Sequence, residues 1–285
     1  MAEILKGSPV AKFIKEKIKS ESDLLRQKGI IPTLGIIRMG DRPEDISYEK
    51  GVIKNCESVG IQARVFEVPE NTSMNEFVEL LKSVNQDDNI HGILMFRPLP
   101  KHIDYEVIKN IIDPRKDIDC MSLVNLEKVF EGELDGFAPC TPKAVIEILK
   151  FYNVPLSGAN VAIINRSMVV GRPLSMMFIG ENSTVTICHS RTKDLPKVTA
   201  NADIVVAAVG KARMLGKEYF SENSVVIDVG INDAGDGKIC GDVDYDNVVD
   251  HVKSITPVPG GVGSVTSAIL LSHVIIACKK IVDKQ

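Results

Sequence analysis

The chain reads as an α/β protein with two domains, an N-terminal domain built on a parallel sheet and a Rossmann-like nucleotide-binding domain. Three observations predict this. Strand and helix patterns alternate as β-α-β-α-β through roughly the first third of the sequence. Residues 161–192 spell a strand, a tight polar turn, a helix and a second strand, the first half of a dinucleotide-binding unit. A length of 285 residues, 44% of them hydrophobic and 25% charged, suffices for two globular cores.

In chain order, residues 9–28 carry Val10, Phe13, Ile14 and Ile18 at helical spacing and stop at Gly29. Residues 33–38 read as a strand, 47–59 as a helix ended by Gly60, and 62–68 as a strand. A helix at 73–84 precedes a short apolar strand at 91–96 and then Pro98-Leu99-Pro100. Thr141-Pro142 opens a helix that runs to about Phe151 and links the domains, since proline is tolerated in a first helical turn. Strands at 203–209 and 224–229 close on Gly210 and Gly230, at the carboxyl ends where open α/β sheets take ligands. The loop from Thr256 to Ser264 is proline-rich, then glycine-rich, and lacks the Gly-Lys-Ser/Thr ending of a P-loop. Domain limits of 1–140 and 141–264 follow, with a terminal helix at about 265–285 packing back on the first domain.

A net charge of −4 without a basic run argues against nucleic acid as a partner and for a small-molecule ligand. The six cysteines are scattered, with no Cys-x-x-Cys pair and no histidine at metal-ligand spacing, so they read as buried thiols of a reducing compartment and no metal is expected. The N-terminus has no apolar core of signal-peptide length, and the longest C-terminal apolar run reads as too short to span a bilayer. A cytoplasmic protein with no membrane partner is the expectation.

The turn after residues 161–164 is Asn165-Arg166-Ser167, not Gly-x-Gly-x-x-Gly, and only Gly171 stands where glycine would admit close backbone approach. Asn165 itself reads as a residue tolerant of positive φ. The next strand, 184–188, ends at His189-Ser190-Arg191, where NAD-binding sheets commonly place an acid for the ribose 2′-hydroxyl. Ser190 and Arg191 suit a 2′-phosphate, which favours NADP.

Assembled in order, several segments carry a resemblance. They are Gly40-Asp41 with Pro43 and Tyr48, His91-Gly92-Ile93-Leu94 with Pro98-Leu99-Pro100, Lys116-Asp117-Ile118-Asp119, and Pro139-Cys140-Thr141-Pro142. Further on come Arg166-Ser167 with Val170-Gly171 and Pro173, Cys188-His189-Ser190, residues 227–232, Gly241-Asp242-Val243-Asp244 and residues 256–263. Along essentially its whole length the chain resembles the FolD family, methylenetetrahydrofolate dehydrogenase/cyclohydrolase. The resemblance implies two domains flanking a cleft, a tetrahydrofolate substrate on one wall, NADP on the other (some members use NAD), and a homodimer. It implies that Arg166, Ser167 and Ser190 contact the NADP phosphates, that Asn165 stands at the cofactor in place of a usual glycine, and that Ile231 lies where the chain passes the cofactor; Arg191, read from the strand end, joins these cofactor-binding residues. It also implies that Tyr48 and Asp119 are catalytic and substrate-binding, with Tyr48 stacking on the folate and Asp119 holding the pterin. Pro259 and Gly260 are implied on the substrate side.

Two departures stand out. The family's catalytic lysine, four residues after the tyrosine, is here Val52, and its glutamine before Pro-Leu-Pro is here Phe96. Smaller departures are Cys120 and Ser264, where glycine and proline are usual. Oxidising methylenetetrahydrofolate needs alignment of a hydride donor and acceptor, because the methenyl cation formed is stabilised by its own nitrogens. Hydrolysing that cation needs groups that move protons, and valine and phenylalanine move none. The expectation is therefore a dehydrogenase with a weak or absent cyclohydrolase step. On a regular helix position 52 lies about 40° from Tyr48, Lys50 about 160° and Lys54 about 120°, which leaves Lys54 as the reserve base. The alternatives are a fully bifunctional enzyme using Lys54 or an ordered water, and a folate- or nucleotide-binding protein without turnover.

Overall fold

The computed structural model describes residues 2–133, 135–235 and 237–283. Its elements begin β1 (Glu3–Ile4), α1 (Gly7–Gln27), β2 (Thr33–Met39), α2 (Pro43–Ser58), β3 (Gln62–Val68), α3 (Met74–Gln86), β4 (Gly92–Met95), α4 (Tyr105–Ile111) and α5 (Leu123–Glu131). Next come α6 (Cys140–Phe151), β5 (Asn160–Ile164), α7 (Gly171–Gly180), β6 (Thr184–Cys188), α8 (Leu195–Ala200) and β7 (Ile204–Ala207). A 3-10 turn at Lys217–Tyr219 precedes β8 (Val225–Asp228), β9 (Asn232–Gly235), β10 (Lys238–Cys240), α9 (Tyr245–Val248), β11 (Ser254–Ile255) and α10 (Val262–Val282).

One compact unit comprises Phe13–Lys128, Leu134–Ala138 and Ser267–Gln285. Its sheet is parallel in the order β3-β2-β4, with Ile36 of the central strand in register with Val65 and Leu94. Every residue of β2 is buried, as a strand covered on both faces requires. Ile37 and Ile93 of the sheet meet Phe77 and Leu81 of α3 and Ile108 of α4 in one core. Helix α2 starts at Pro43, four residues before the sequence pattern suggested, because a first-turn proline forgoes only a hydrogen bond that the turn lacks anyway. Helix α3 is entered through a capping box in which the Ser73 side chain and Glu76 serve each other's backbone N–H groups.

The second unit comprises Met1–Lys12, Val129–Glu133 and Pro139–Thr266. Its six-stranded sheet runs β1-β11-β8-β7-β5-β6, all neighbours parallel. The expected boundary at residue 140 is thus corrected at the N-terminus. Glu3 and Ile4 pair with Ser254 and Ile255, so the first residues complete the sheet of the second unit. A two-residue strand carries no periodic signal from which this could be read.

The expectation that the C-terminal apolar run is too short for a bilayer is also corrected. Helix α10 has 21 residues, and the window that meets the length and composition of a span has a mean hydropathy of 1.7, with 61% of it buried in the protein. Burial of that order accounts for its apolarity. All six cysteines are unpaired and buried, and burial pushes the thiols of Cys56, Cys120, Cys188 and Cys278 above their ordinary range.

Candidate functional site

Tyr48 stands on α2 and is 52% exposed, while the inward face of that helix is made by Glu49, Val52 and Cys56. Phe96 follows β4, and its ring lies 5.2 Å from the ring of Tyr48 at an interplanar angle of 49°. Val52 and Phe96 are each 6% exposed, so the two positions that depart from the family pattern are apolar and shut off from water. Lys54 is exposed, and the regularity of α2 keeps it about 120° around the axis from Tyr48. The structure does not bring this reserve base onto the tyrosine's face. Beside Tyr48, Glu49 forms an ion pair with the buried Arg38 at 2.8 Å.

The loop carrying Asp119 is built from its own buried neighbours. Asp117 accepts hydrogen bonds from the backbone N–H groups of Met121 and Ser122, each at 2.8 Å, and from the Asn125 amide at 3.0 Å. Lys116 is buried and donates to the carbonyl of Asp87, and desolvation lowers its pKa. These contacts clamp the chain so that Cys120 adopts φ +55°, the left-handed conformation that explains a usual glycine there. Asp119 is then met by Arg97, whose Nη2 donates to Oδ2 at 2.8 Å. Arg97 was not a candidate from sequence, because nothing local signals a pair 22 residues apart. Next to it, Met39, Gly40, Arg42, Glu70 and residues 98–102 line an open cavity of about 390 Å³ at the carboxyl edge of the sheet.

In the second unit, β5 and β6 are neighbours in register through Ile164 and Cys188, roughly 4.8 Å apart. Asn165-Arg166-Ser167 and His189-Ser190-Arg191 therefore leave the same sheet edge side by side. The other neighbour of β5 is β7, which makes this edge the switch point of the sheet, where open α/β folds receive ligands. Asn165 is absent from the positive-φ residues among those described, which corrects the reading of its role. Its side chain acts as a brace. Oδ1 accepts from the Ser167 N–H and hydroxyl at 2.7 Å and from the Gly171 N–H at 3.0 Å, while Nδ2 donates to Ala208 O at 2.6 Å across the switch point.

Gly171 is needed for a different reason from the turn around it. A Cβ there would lie 2.1 Å from the Asn165 carbonyl oxygen, so only glycine lets α7 approach the end of β5 this closely. Arg166, Ser167, Ser190 and Arg191 are exposed around that cradle, a donor set suited to phosphate oxygens. Ile231, 67% exposed, follows β8 and is an exposed apolar residue, as are Met168 and Val169 after Ser167. Pro259 and Gly260 belong to this unit too, and Gly260 O accepts from the Gly7 N–H at 2.8 Å. They do not share a compact unit with Tyr48 and Asp119.

Two aspartates from the recognised segments serve the scaffold. Asp228 accepts from the N–H groups of Gly230, Asp242 and Val243 at 2.9 to 3.0 Å. Asp242 accepts from those of Val209, Gly210 and Lys211, and from the Asn232 amide. Together they tie down the loops after β7 and β8. Burial pushes the Asp228 carboxyl up to about 6, against the pull of its three N–H donors.

Comparison with known proteins accounts for both halves. Residues 5–119 match the family model of the tetrahydrofolate dehydrogenase/cyclohydrolase catalytic domain, and residues 139–282 match that of its NAD(P)-binding domain. Bifunctional protein FolD 1 of Desulfitobacterium hafniense is 58% identical over 279 residues, covering 98% of this chain and 99% of the relative. The crystal structure of the bifunctional FolD enzyme of Campylobacter jejuni superposes with a TM-score of 0.96 at 39% identity, covering 98% of this chain and 99% of that one. The Trypanosoma brucei FolD, solved with NADP and an inhibitor, gives 0.92 at 32% identity over 99% of this chain and 98% of its own. The chain belongs to the tetrahydrofolate dehydrogenase/cyclohydrolase family.

Proposed function

We propose that the protein is an NADP-dependent 5,10-methylenetetrahydrofolate dehydrogenase in which hydrolysis of the methenyl product is weak or absent. Membership of the family supports the dehydrogenase, and the observation that carries the finer reading is the apolar wall made by Val52 and Phe96 against Tyr48. Arg166, Ser167, Ser190 and Arg191 would hold the cofactor's phosphates around the cradle formed by Asn165 and Gly171, with Ile231 where the chain passes the cofactor. NADP, when bound, supplies the hydride acceptor. Tyr48 stacks on the folate and Asp119 holds the pterin. Holding and aligning the substrate is all that the hydride step asks of these residues.

Hydrolysis asks for more, namely a group that takes a proton from the attacking water and one that gives a proton to the leaving nitrogen. Neither Val52 nor Phe96 exchanges protons, and both are closed to water. A second reading, full bifunctionality, is favoured by the name of the Desulfitobacterium hafniense relative and would require Lys54 or a bound water to act as base. NADP reduction on adding methylenetetrahydrofolate tests the dehydrogenase. Its absence with both NADP and NAD would leave a binding protein without turnover. A faster initial rate with NADP than with NAD is expected from the basic sheet edge. A cytoplasmic homodimer is part of the proposal, and light scattering checks the dimer.

A further inference from the structure

Arg97 is held at two points beside the residue assigned to the pterin. Its Nη2 donates to Asp119 Oδ2 at 2.8 Å, and its Nη1 donates to Tyr105 Oη at 3.2 Å. The Arg97 side chain keeps 33% of its surface exposed and that of Asp119 keeps 25%, so the pair is partly dry and still reachable. A guanidinium has five N–H donors in a planar fork, more than these two contacts use, whereas an ionised carboxylate only accepts. The pair therefore presents acceptor oxygens next to donor nitrogens on one rim. Phe96, the preceding residue, packs on Tyr48, which places this rim directly after the aromatic wall.

The pyrimidine edge of a folate carries the complementary pattern. Its 2-amino group and N3–H donate, and its 4-oxo oxygen accepts. We propose that Asp119 takes the two donors while Arg97 donates to the 4-oxo oxygen, which makes Arg97 a specificity-determining residue. Ligands with a 4-amino group in that place present N–H to N–H and are rejected. The proposal rests on the assignment of Asp119 to the pterin. It extends that assignment by naming a second reader and the ligand class that the pair excludes.

Folic acid and aminopterin differ in the 4-substituent and, with it, in the N3 proton, so they serve as probes in which the Arg97 contribution is the change of their ratio on substitution, with affinity measured as competitive inhibition of NADPH formation or by fluorescence quenching. The wild type is expected to bind folic acid at least tenfold more tightly than aminopterin. Arg97→Leu should lower that ratio at least tenfold by weakening folic acid selectively, since a hydrogen bond from a charged group is of that order. Arg97→Lys, which keeps a charged donor without the planar fork, should fall between, and it guards against a folding defect in the leucine variant. Equal weakening of both ligands would make Arg97 a support for Asp119 only and would overturn the proposal. So would an unchanged ratio, or a wild type that binds both alike or neither. Asp119→Asn separates the two levels: if it leaves folic acid binding intact, the assignment of Asp119 fails irrespective of Arg97.

Discussion

The same substitution, glycine to alanine, should have opposite effects in two helices of this protein. At Gly171 the added Cβ meets Asn165 O at 2.1 Å, Asn165 C at 2.5 Å and Arg166 N at 2.8 Å. These are backbone atoms, so no rotamer change relieves the contact and α7 must move away from β5. Forced overpacking of this kind costs about 1 to 3 kcal/mol, or a fall in Tm of about 2 to 5 °C for a protein of this size. Because Asn165 Oδ1 binds the Gly171 N–H, the shift also displaces Asn165-Arg166-Ser167. Gly171→Ala is therefore expected to raise the KM for NADP about tenfold or more, with the KM for methylenetetrahydrofolate nearly unchanged. Gly51 lies within α2, and nothing stands within 4 Å of the Cβ it would gain. There, alanine should stabilise by about 0.5 to 1 kcal/mol through the lower entropy of the unfolded chain. Thermal melts and initial rates with varied NADP decide the matter. A Gly171→Ala protein with wild-type melting temperature and wild-type KM for NADP would refute the cradle.

Val52→Lys combined with Phe96→Gln should raise enzyme-dependent methenyl hydrolysis by up to about a hundredfold, while the loss of the buried Phe96 ring lowers stability by about 3 kcal/mol. Methenyl absorbance and a melt read both effects. His91 is 5% exposed and its Nδ1 accepts the Thr33 N–H, with burial holding its pKa below the usual 6.5. The unfolded chain thus binds the proton first, so this contribution is present above pH 6.5 and is lost as pH falls through the native value. Denaturant titrations from pH 7.5 down should show the loss, which is reduced in His91→Gln. The Asp228 carboxyl, raised from 3.8 to about 6, works in the other direction. Its native state holds the proton more tightly, so its contribution is full below about pH 4 and falls as pH rises through 6, by roughly 3 kcal/mol in all. Carboxyl NMR should find this residue titrating near 6, and a titration near 4 would refute the assignment.

How far the sequence was legible follows from the range of each signal. Helix and strand identities of α1, β2, β3, α3 and α6 were readable, because periodicity, Gly29, Gly60 and Pro142 act within a few residues. The pairing of β1 with β11, the β9–β10 hairpin and the short helices α8 and α9 were not, since they depend on distant partners or are too short to show a period. In the site, Tyr48 and Asp119 came from family motifs, and the edge from Asn165 to Ser167 came first from the strand-turn-helix pattern. What each residue does in the fold came from geometry. Asn165 braces with its side chain, Gly171 makes room, and Asp117, Asp228 and Asp242 hold backbone in motifs that look like ligand sites on paper. Arg97 was invisible, because its partner lies on another loop. The loss of polar groups at Val52 and Phe96 was visible from sequence, and their closure from water was not.

By the proposal above, this chain makes the methenyl cation and does not hydrolyse it. Mixing enzyme, NADP and methylenetetrahydrofolate while following NADPH and methenyl absorbance together tests it most directly. Methenyl should accumulate in step with NADPH and then decay at the rate of buffer alone, until an added cyclohydrolase removes it. Decay that scales with enzyme concentration and disappears in a Tyr48→Phe variant would contradict it.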